Sequence, residues 1–203
     1  MSVVLASASP RRRALVAALG VPFEADPADV DEASDERDPV RLAEALALSK
    51  ARAVAARRPG DVVIGSDTVV ALEGRLLGKP GDAAEARAML HALRGRAHEV
   101  VTGVAVVVAG RHVEAVSHQR TAVVMRAYTD AECEEFIARG EPFDKAGGYA
   151  IQDAVFRPVA RIDGCECGVI GLPLWTLRQC LAEAGVETGM PALDRCAVCP
   201  ARD

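Results

Sequence analysis

Apolar and polar positions change period repeatedly along this 203-residue chain, between short turn signals. That is the pattern of one mixed α/β domain and not of a repeat array. Residues 3–6 form a short apolar run that predicts a buried strand, 7–10 a small-residue loop, and 11–19 a helix closed by Gly20. An acidic connector over 24–38 leads to Asp38-Pro39, an N-cap and first-turn proline for a helix running to about residue 57. The Val/Ile run 61–65 predicts a strand entering Ser66-Asp67-Thr68, so that Asp67 falls at a strand end. Residues 69–72, a Glu73-Gly74 turn and 75–77 complete a hairpin. Asp82 with Glu85, and Thr129 with Glu132, have capping-box spacing and predict helices over 83–93 and 130–139. Between those helices, 97–108 and 112–126 read as a long hairpin turned at Ala109-Gly110. A loop at 140–148, a partly extended stretch at 149–162 and a last helix at 173–184 follow, and the tail after Gly185 reads as irregular.

Composition narrows the function classes. Half the residues are apolar and 26% are charged, which suits a compact chain and excludes disordered and collagen-like classes. A net charge of −5 and 3% aromatic residues argue against a general grip on nucleic acid. No apolar run reaches the ~18 residues of a membrane span, and Arg11–Arg13 interrupt the first twenty residues, unlike a secretory leader. The expected setting is therefore the cytoplasm, with neither membrane nor nucleic acid as partner. The chain has 21 Arg, three Lys and no Asn. If Arg fills every place where a generic cation serves, Lys50, Lys79 and Lys145 mark places that need a compact ammonium.

Four segments carry candidate chemistry. Ser7-Ala8-Ser9-Pro10-Arg11-Arg12 lies between a strand and a helix start, where backbone N–H groups and guanidinium forks favour phosphate; a plain Ser N-cap with solvated arginines is the equal alternative. Lys50 shares the apolar stripe of its helix with Leu42, Ala43, Leu46, Ala53 and Val54, and must either snorkel or meet an anion. Ser66-Asp67-Thr68 with Gly78-Lys79-Pro80 offers a carboxylate for metal or water and a lysine for a leaving phosphate, or else two simple turns. Asp29, Asp31 and Glu32 are sources for a second metal carboxylate. In 144–152, Gly147-Gly148 permits close backbone approach, and the Gln152 amide can both donate and accept at a base edge. Neither GxxxxGK[ST] nor GxGxxG occurs, which removes the usual kinase, GTPase and dehydrogenase signatures. His91, His98, His112 and His118 lack metal-ligand or triad spacing and read as structural or surface residues.

In order, Leu5-Ala6-Ser7-Ala8-Ser9-Pro10-Arg11-Arg12, Asp31-Glu32, Ser49-Lys50-Ala51, Ser66-Asp67-Thr68-Val69-Val70, Gly78-Lys79-Pro80, His98-Glu99-Val100-Val101-Thr102-Gly103-Val104, the stretch 144–152 and Gly171-Leu172-Pro173-Leu174 resemble the Maf family over nearly the whole chain. The resemblance implies a single elongated α/β domain over 1–189, with a central mixed β-sheet flanked by helices and a deep nucleotide-binding cleft of the Maf/ITPase-like kind; 190–203 would be an irregular Cys-containing tail. It also implies a nucleoside triphosphate pyrophosphatase that cuts between the α and β phosphates, uses Mg²⁺ or Mn²⁺, and forms a homodimer. Asp67 matches the family's proton acceptor, and Ser7, Arg11, Arg12, Lys50 and Lys79 its phosphate-side residues. Arg11, Thr68 and Gln152 match positions tied to base choice, and the metal falls to Asp67 with Glu32. The Ala146-Gly147-Gly148-Tyr149-Ala150-Ile151-Gln152 form resembles the branch acting on dTTP and UTP rather than on 7-methyl-GTP. Asp153 stands where many members have Gly, next to the specificity position. A nucleotide-sensing regulator of septum formation is the alternative. Cys165, Cys167, Cys196 and Cys199 form a CxC…CxxC pattern, read as unligated reduced thiols with a structural zinc as the alternative.

Overall fold

The computed structural model describes residues 1–202. Its sheet has the strand order β2-β1-β3-β5-β6-β7, with β4 also paired to β3. The strands are β1 (Val3–Leu5), β2 (Phe23–Ala25), β3 (Val62–Leu72), β4 (Arg75–Leu77), β5 (Ala97–Val108), β6 (Val113–Met125) and β7 (Val159–Asp163). β1 runs parallel to β2 and β3, and every other pairing is antiparallel, so the sheet is mixed as expected. The helices are α1 (Pro10–Ala17), α2 (Pro39–Ala55), α3 (Ala83–Leu93), α4 (Asp130–Ala138), α5 (Glu166–Ile170), α6 (Leu174–Glu183) and α7 (Asp194–Ala197).

Local signals placed most boundaries. Ser9 caps α1, and Asp38 caps α2 by accepting from the N–H groups of Val40 and Arg41. Thr129 and Glu132 close a complete capping box on α4. At α3 the Asp82 cap forms, but Glu85 reaches back to the Gly81 N–H instead of closing the box.

Three expectations are corrected. Asp67 does not fall at a strand end: β3 runs through Ser66-Asp67-Thr68 for 11 residues, because β5 pairs with 63–71 along one edge. The acidic connector contains β2, which lies parallel beside β1. The helix at 173–184 is not the last, and the segment after Gly185 is not wholly irregular, since α7 packs Cys196 and Cys199 into the core.

Successive β3 side chains alternate between faces, as strand geometry requires. Val62 and Ile64 join a core cluster with α1 and α6, whereas Val70 and Leu72 join one with α3 and α4. Ser66 and Thr68 fall between these clusters on the same face and make a polar seam with Thr102 of β5. On the opposite face α2 packs Ala47, Ala51 and Val54 against Val63 and Ala105.

Two glycines set how closely α2 approaches. A Cβ on Gly65 would lie 2.1 Å from the Ala47 carbonyl oxygen, and one on Gly103 would lie 2.2 Å from that of Ala43. Only hydrogen side chains admit the helix backbone at these distances.

Candidate active site

The site occupies a gap in the sheet. Along one edge of β3, β1 covers residues 62–64 and β4 covers 70–72, which leaves the stretch around Asp67 and Thr68 without a strand on that side. A cleft of ≈ 790 Å³ opens there, within the size range of small-molecule sites. The loop leaving the carboxyl end of β1 borders it, the usual ligand position in sheets with parallel strands.

Asp67 and Lys50 form its centre. The close approach of α2 brings Lys50 Nζ within 2.6 Å of Asp67 Oδ1. The same ammonium lies 2.6 Å from Glu32 Oε1, on the connector between β2 and α2. Lys50 is thus a buried lysine that meets anions rather than one that snorkels, which decides between its two sequence readings. Its hydrogen bond is the main reason the Glu32 carboxyl is held below the usual range; burial opposes this, and Lys79, 3.6 Å from Glu32 Oε2, assists it. Asp67 Oδ2 has no hydrogen-bond partner among the described residues and faces the cleft lining.

Arg12 is fixed across the seam. Its Nε donates to the Gly171 carbonyl at 2.8 Å and its Nη2 to Thr68 Oγ1 at 3.3 Å. Thr102 donates its hydroxyl hydrogen to the Gly168 carbonyl at 2.7 Å, so across the 3.0 Å contact between the two threonines Thr68 is the donor. Burial lowers the Arg12 pKa, and the charge of Asp67 acts in the opposite sense. Ser66 donates to the carbonyls of Gly103 and Gly171, tying β5 and the segment after α5 to the same point. Ser7 accepts from the Ser9 N–H and, at 3.5 Å, from Arg12 Nη1.

The opposite rim is the loop 141–148. Arg11 Nη1 donates to Asp144 Oδ2 at 3.0 Å across the cleft. Lys145 lies on the same wall, hydrogen-bonded to Asp144, and the Gly147 N–H donates to the Gly78 carbonyl beside Lys79. All three lysines of the chain therefore line one cleft. Gly147 and Gly148 are buried at φ +71° and +68°. They serve the turn's left-handed backbone rather than an exposed ligand surface.

Gln152 is exposed at the cleft wall, and its amide has no protein partner among the described residues. Asp153 points away. It pairs with Arg139 at 2.9 and 3.0 Å and accepts the N–H groups of Val155 and Phe156, so its carboxylate is used up in a turn. The site residues Ser7, Arg11, Arg12, Glu32, Lys50, Asp67, Thr68, Lys79 and Gln152 thus all border one space. Of the other acidic candidates, Asp31 caps the Ala33 N–H, and neither it nor Asp29 borders the cleft.

His98, read from the sequence as structural or surface, is a structural residue: it is buried with Nε2 2.6 Å from the Tyr149 hydroxyl behind the cleft wall. Burial pushes its pKa down to about 4 from 6.5. Because the folded value lies below the unfolded one, this neutral imidazole contributes full stability above about pH 6.5, and the contribution is lost as pH falls towards 4. The stake is about 3 kcal/mol. Thermal melts of wild type and His98→Gln are expected to converge over that interval; parallel melting curves from pH 7 to 4 would remove the assignment.

Two hard carboxylates, Asp67 and Glu32, set among cations that suit phosphate, match the way Mg²⁺ is held: by one or two carboxylates with the rest of its shell from substrate and water. The donor set fits such an ion: Asp67 Oδ2 has no protein partner among the described residues while Lys50 keeps Oδ1, and Glu32, on a connector, is the carboxylate that would leave the ammonium.

Fold and site together define an α/β protein with a cation-lined cleft for an anionic ligand and an unpartnered carboxylate oxygen at its base. The Maf-like protein family profile matches residues 2–184. A dTTP/UTP pyrophosphatase of Thermomicrobium roseum is 56% identical over 193 residues, covering 94% of this chain and 88% of the relative. Those of Moorella thermoacetica and Deinococcus radiodurans are 51% and 47% identical, each covering 91% of this chain and 96% and 94% of the relative. Among solved structures, a dITP/XTP pyrophosphatase from Mycobacterium abscessus superposes with a TM-score of 0.43 at 21% identity, over 63% of this chain and 76% of that one. The chain belongs to the Maf family.

Proposed function

We propose that this protein is a nucleoside triphosphate pyrophosphatase that hydrolyses the α–β phosphate bond of dTTP and UTP to the monophosphate and pyrophosphate. The observation that carries the chemistry is the convergence of Arg11, Arg12, Lys50 and Lys79 around Asp67 in one cleft. Relatives 56% and 51% identical to it are dTTP/UTP pyrophosphatases, which supports the choice of nucleotide.

In this reading Asp67 Oδ2 accepts the proton of a water that attacks the α phosphorus, while Lys50 holds the other carboxylate oxygen and so fixes the ring of groups around it. Lys50 has a third N–H for a phosphate oxygen, and Lys79 and Arg11 oppose the charge that develops on the departing pyrophosphate. Arg12 and Thr68 hold one another in place beside it. Gln152 offers one donor and one acceptor, the complement of the N3–H and O4 edge of thymine or uracil. Asp153 takes no part in base choice, because Arg139 holds it. Asp67 and Glu32 would hold Mg²⁺ or Mn²⁺, which supplies charge neutralisation of the phosphate oxygens when bound. Among the described residues no helix is long and apolar enough to cross a membrane.

Pyrophosphate release from dTTP, UTP, CTP, the purine triphosphates and 7-methyl-GTP, with and without Mg²⁺ or Mn²⁺, tests the proposal. Metal-dependent turnover led by dTTP and UTP is expected. Another leading base overturns the role of Gln152, and nucleotide binding with no turnover in either metal leaves a sensor in place of an enzyme.

A further inference from the structure

The four cysteines of the CxC and CxxC pairs meet. Cys165, at the N-cap of α5, and Cys167 inside it lie against Cys196 of α7 and Cys199 just beyond, although 29 residues separate Cys167 from Cys196. All four are buried, with exposures of 1%, 1%, 1% and 6%. Cys167 Sγ and Cys196 Sγ are 3.4 Å apart, and Cys165 and Cys199 belong to the same buried cluster. The two remaining cysteines are elsewhere: Cys133 packs with α3 and α4, and Cys180 has no thiol partner among the described residues.

We propose that Cys165, Cys167, Cys196 and Cys199 bind one structural zinc ion that fastens the C-terminal segment to α5. A Zn–S bond is about 2.3 Å, which puts ligand sulfurs about 3.8 Å apart in a tetrahedron. The observed 3.4 Å is close to that edge and far from the ~2.05 Å of a disulfide. Thiolate ligands favour soft or borderline ions, and two short-spaced pairs from separate segments are the usual way a closed zinc site is assembled. As placed, the thiols are not a finished shell: among the described residues, no three His, Cys, Asp or Glu side chains are grouped to hold an ion. Binding the ion would take rotation of these side chains about their Cα–Cβ bonds to turn all four sulfurs towards one point. Ligation takes the four sulfurs as thiolates, releases their protons to solvent, and leaves a site of net charge −2. Arg195, ion-paired with Glu166, lies beside Cys167.

The placement gives the ion a task. The Trp175 indole donates to the Cys196 carbonyl at 3.0 Å, and a few residues after Cys167 the chain presents the Gly171 carbonyl that holds Arg12. A metal here would secure the segment behind the cleft without touching the nucleotide.

Elemental analysis of the full chain, purified under reducing conditions and desalted, is expected to give about one zinc per chain. Cys196→Ser with Cys199→Ser should lose it, and Cys133→Ser with Cys180→Ser should keep it. Should the first variant fail to fold, cobalt loaded into the unaltered chain gives the answer alone. Tetrahedral four-thiolate binding shows strong d–d bands in the red and a sulfur-to-cobalt charge-transfer band, displaced by zinc. A chain with no bound metal that also fails to take up cobalt overturns the proposal, as does bound iron, or a Cys167–Cys196 disulfide found by mass spectrometry.

Discussion

Asp67→Asn is expected to lower kcat for pyrophosphate release by about 10³-fold, the middle of the range for loss of a positioned general base, while leaving the fold in place. Asparagine matches aspartate in size but cannot take a proton from water. The usual penalty for breaking a buried ion pair is softened, because Lys50 keeps its 2.6 Å contact with Glu32. KM is expected to stay near the wild-type value, since an ammonium freed from Asp67 remains available to phosphate. Steady-state kinetics beside a thermal melt would separate the two effects. Turnover near the wild-type rate in a folded variant removes Asp67 from the chemistry, and a melt that collapses recasts it as a structural partner of Lys50.

Gly103→Ala should be among the most damaging glycine substitutions in this chain. The new Cβ would sit 2.2 Å from the Ala43 carbonyl oxygen, 2.4 Å from its carbon and 2.8 Å from the Glu44 nitrogen. All three are helix backbone atoms, so no side chain can swing aside and α2 itself must lift. The expected cost is about 3 kcal/mol or more, the upper part of the range for overpacking. Urea unfolding measures it through the midpoint at constant slope. Activity should fall in the surviving folded fraction as well, because lifting α2 draws Lys50 away from Asp67. Gly65→Ala strikes Ala47, one helical turn further along, and the pair of substitutions should cost less than the sum, since a helix displaced once has already cleared both contacts. A loss below about 1 kcal/mol would mean that the helix is not seated as described.

Much of this arrangement was legible in the chain itself, where the determinant was local. The Asp38 and Thr129 caps, the Glu73-Gly74 hairpin and the long pair 97–108 and 112–126 follow from residues within a few positions of one another. Lys50 was conspicuous because an apolar helical stripe makes a charge stand out. What could not be read depended on distant partners. Ser66-Asp67-Thr68 has the composition of a turn, and only the register against Thr102 and Gly103 of β5 makes it mid-strand. The close seat of α2 rests on Gly65 and Gly103, and nothing near either glycine in sequence announces a helix above it. Three-residue β2 and five-residue α5 are too short to display a period. The Arg139–Asp153 ion pair joins positions 14 residues apart, and His98 gave no sign of its partner 51 residues away.

The strands beneath the cleft are continuous. β3, β5 and β6 each carry residues of the cluster around α1 and α6 and of the cluster around α3 and α4, and the polar seam lies between the two on uninterrupted backbone. Built this way, the two flanks share the same three planks, so a hinge between them would have to bend paired strands. The parts of the rim not held in the sheet are the Glu32 connector and the Asp144 loop, fastened by the Lys50 and Arg11 ion pairs, and a charged ligand entering the cleft would compete for those two cations.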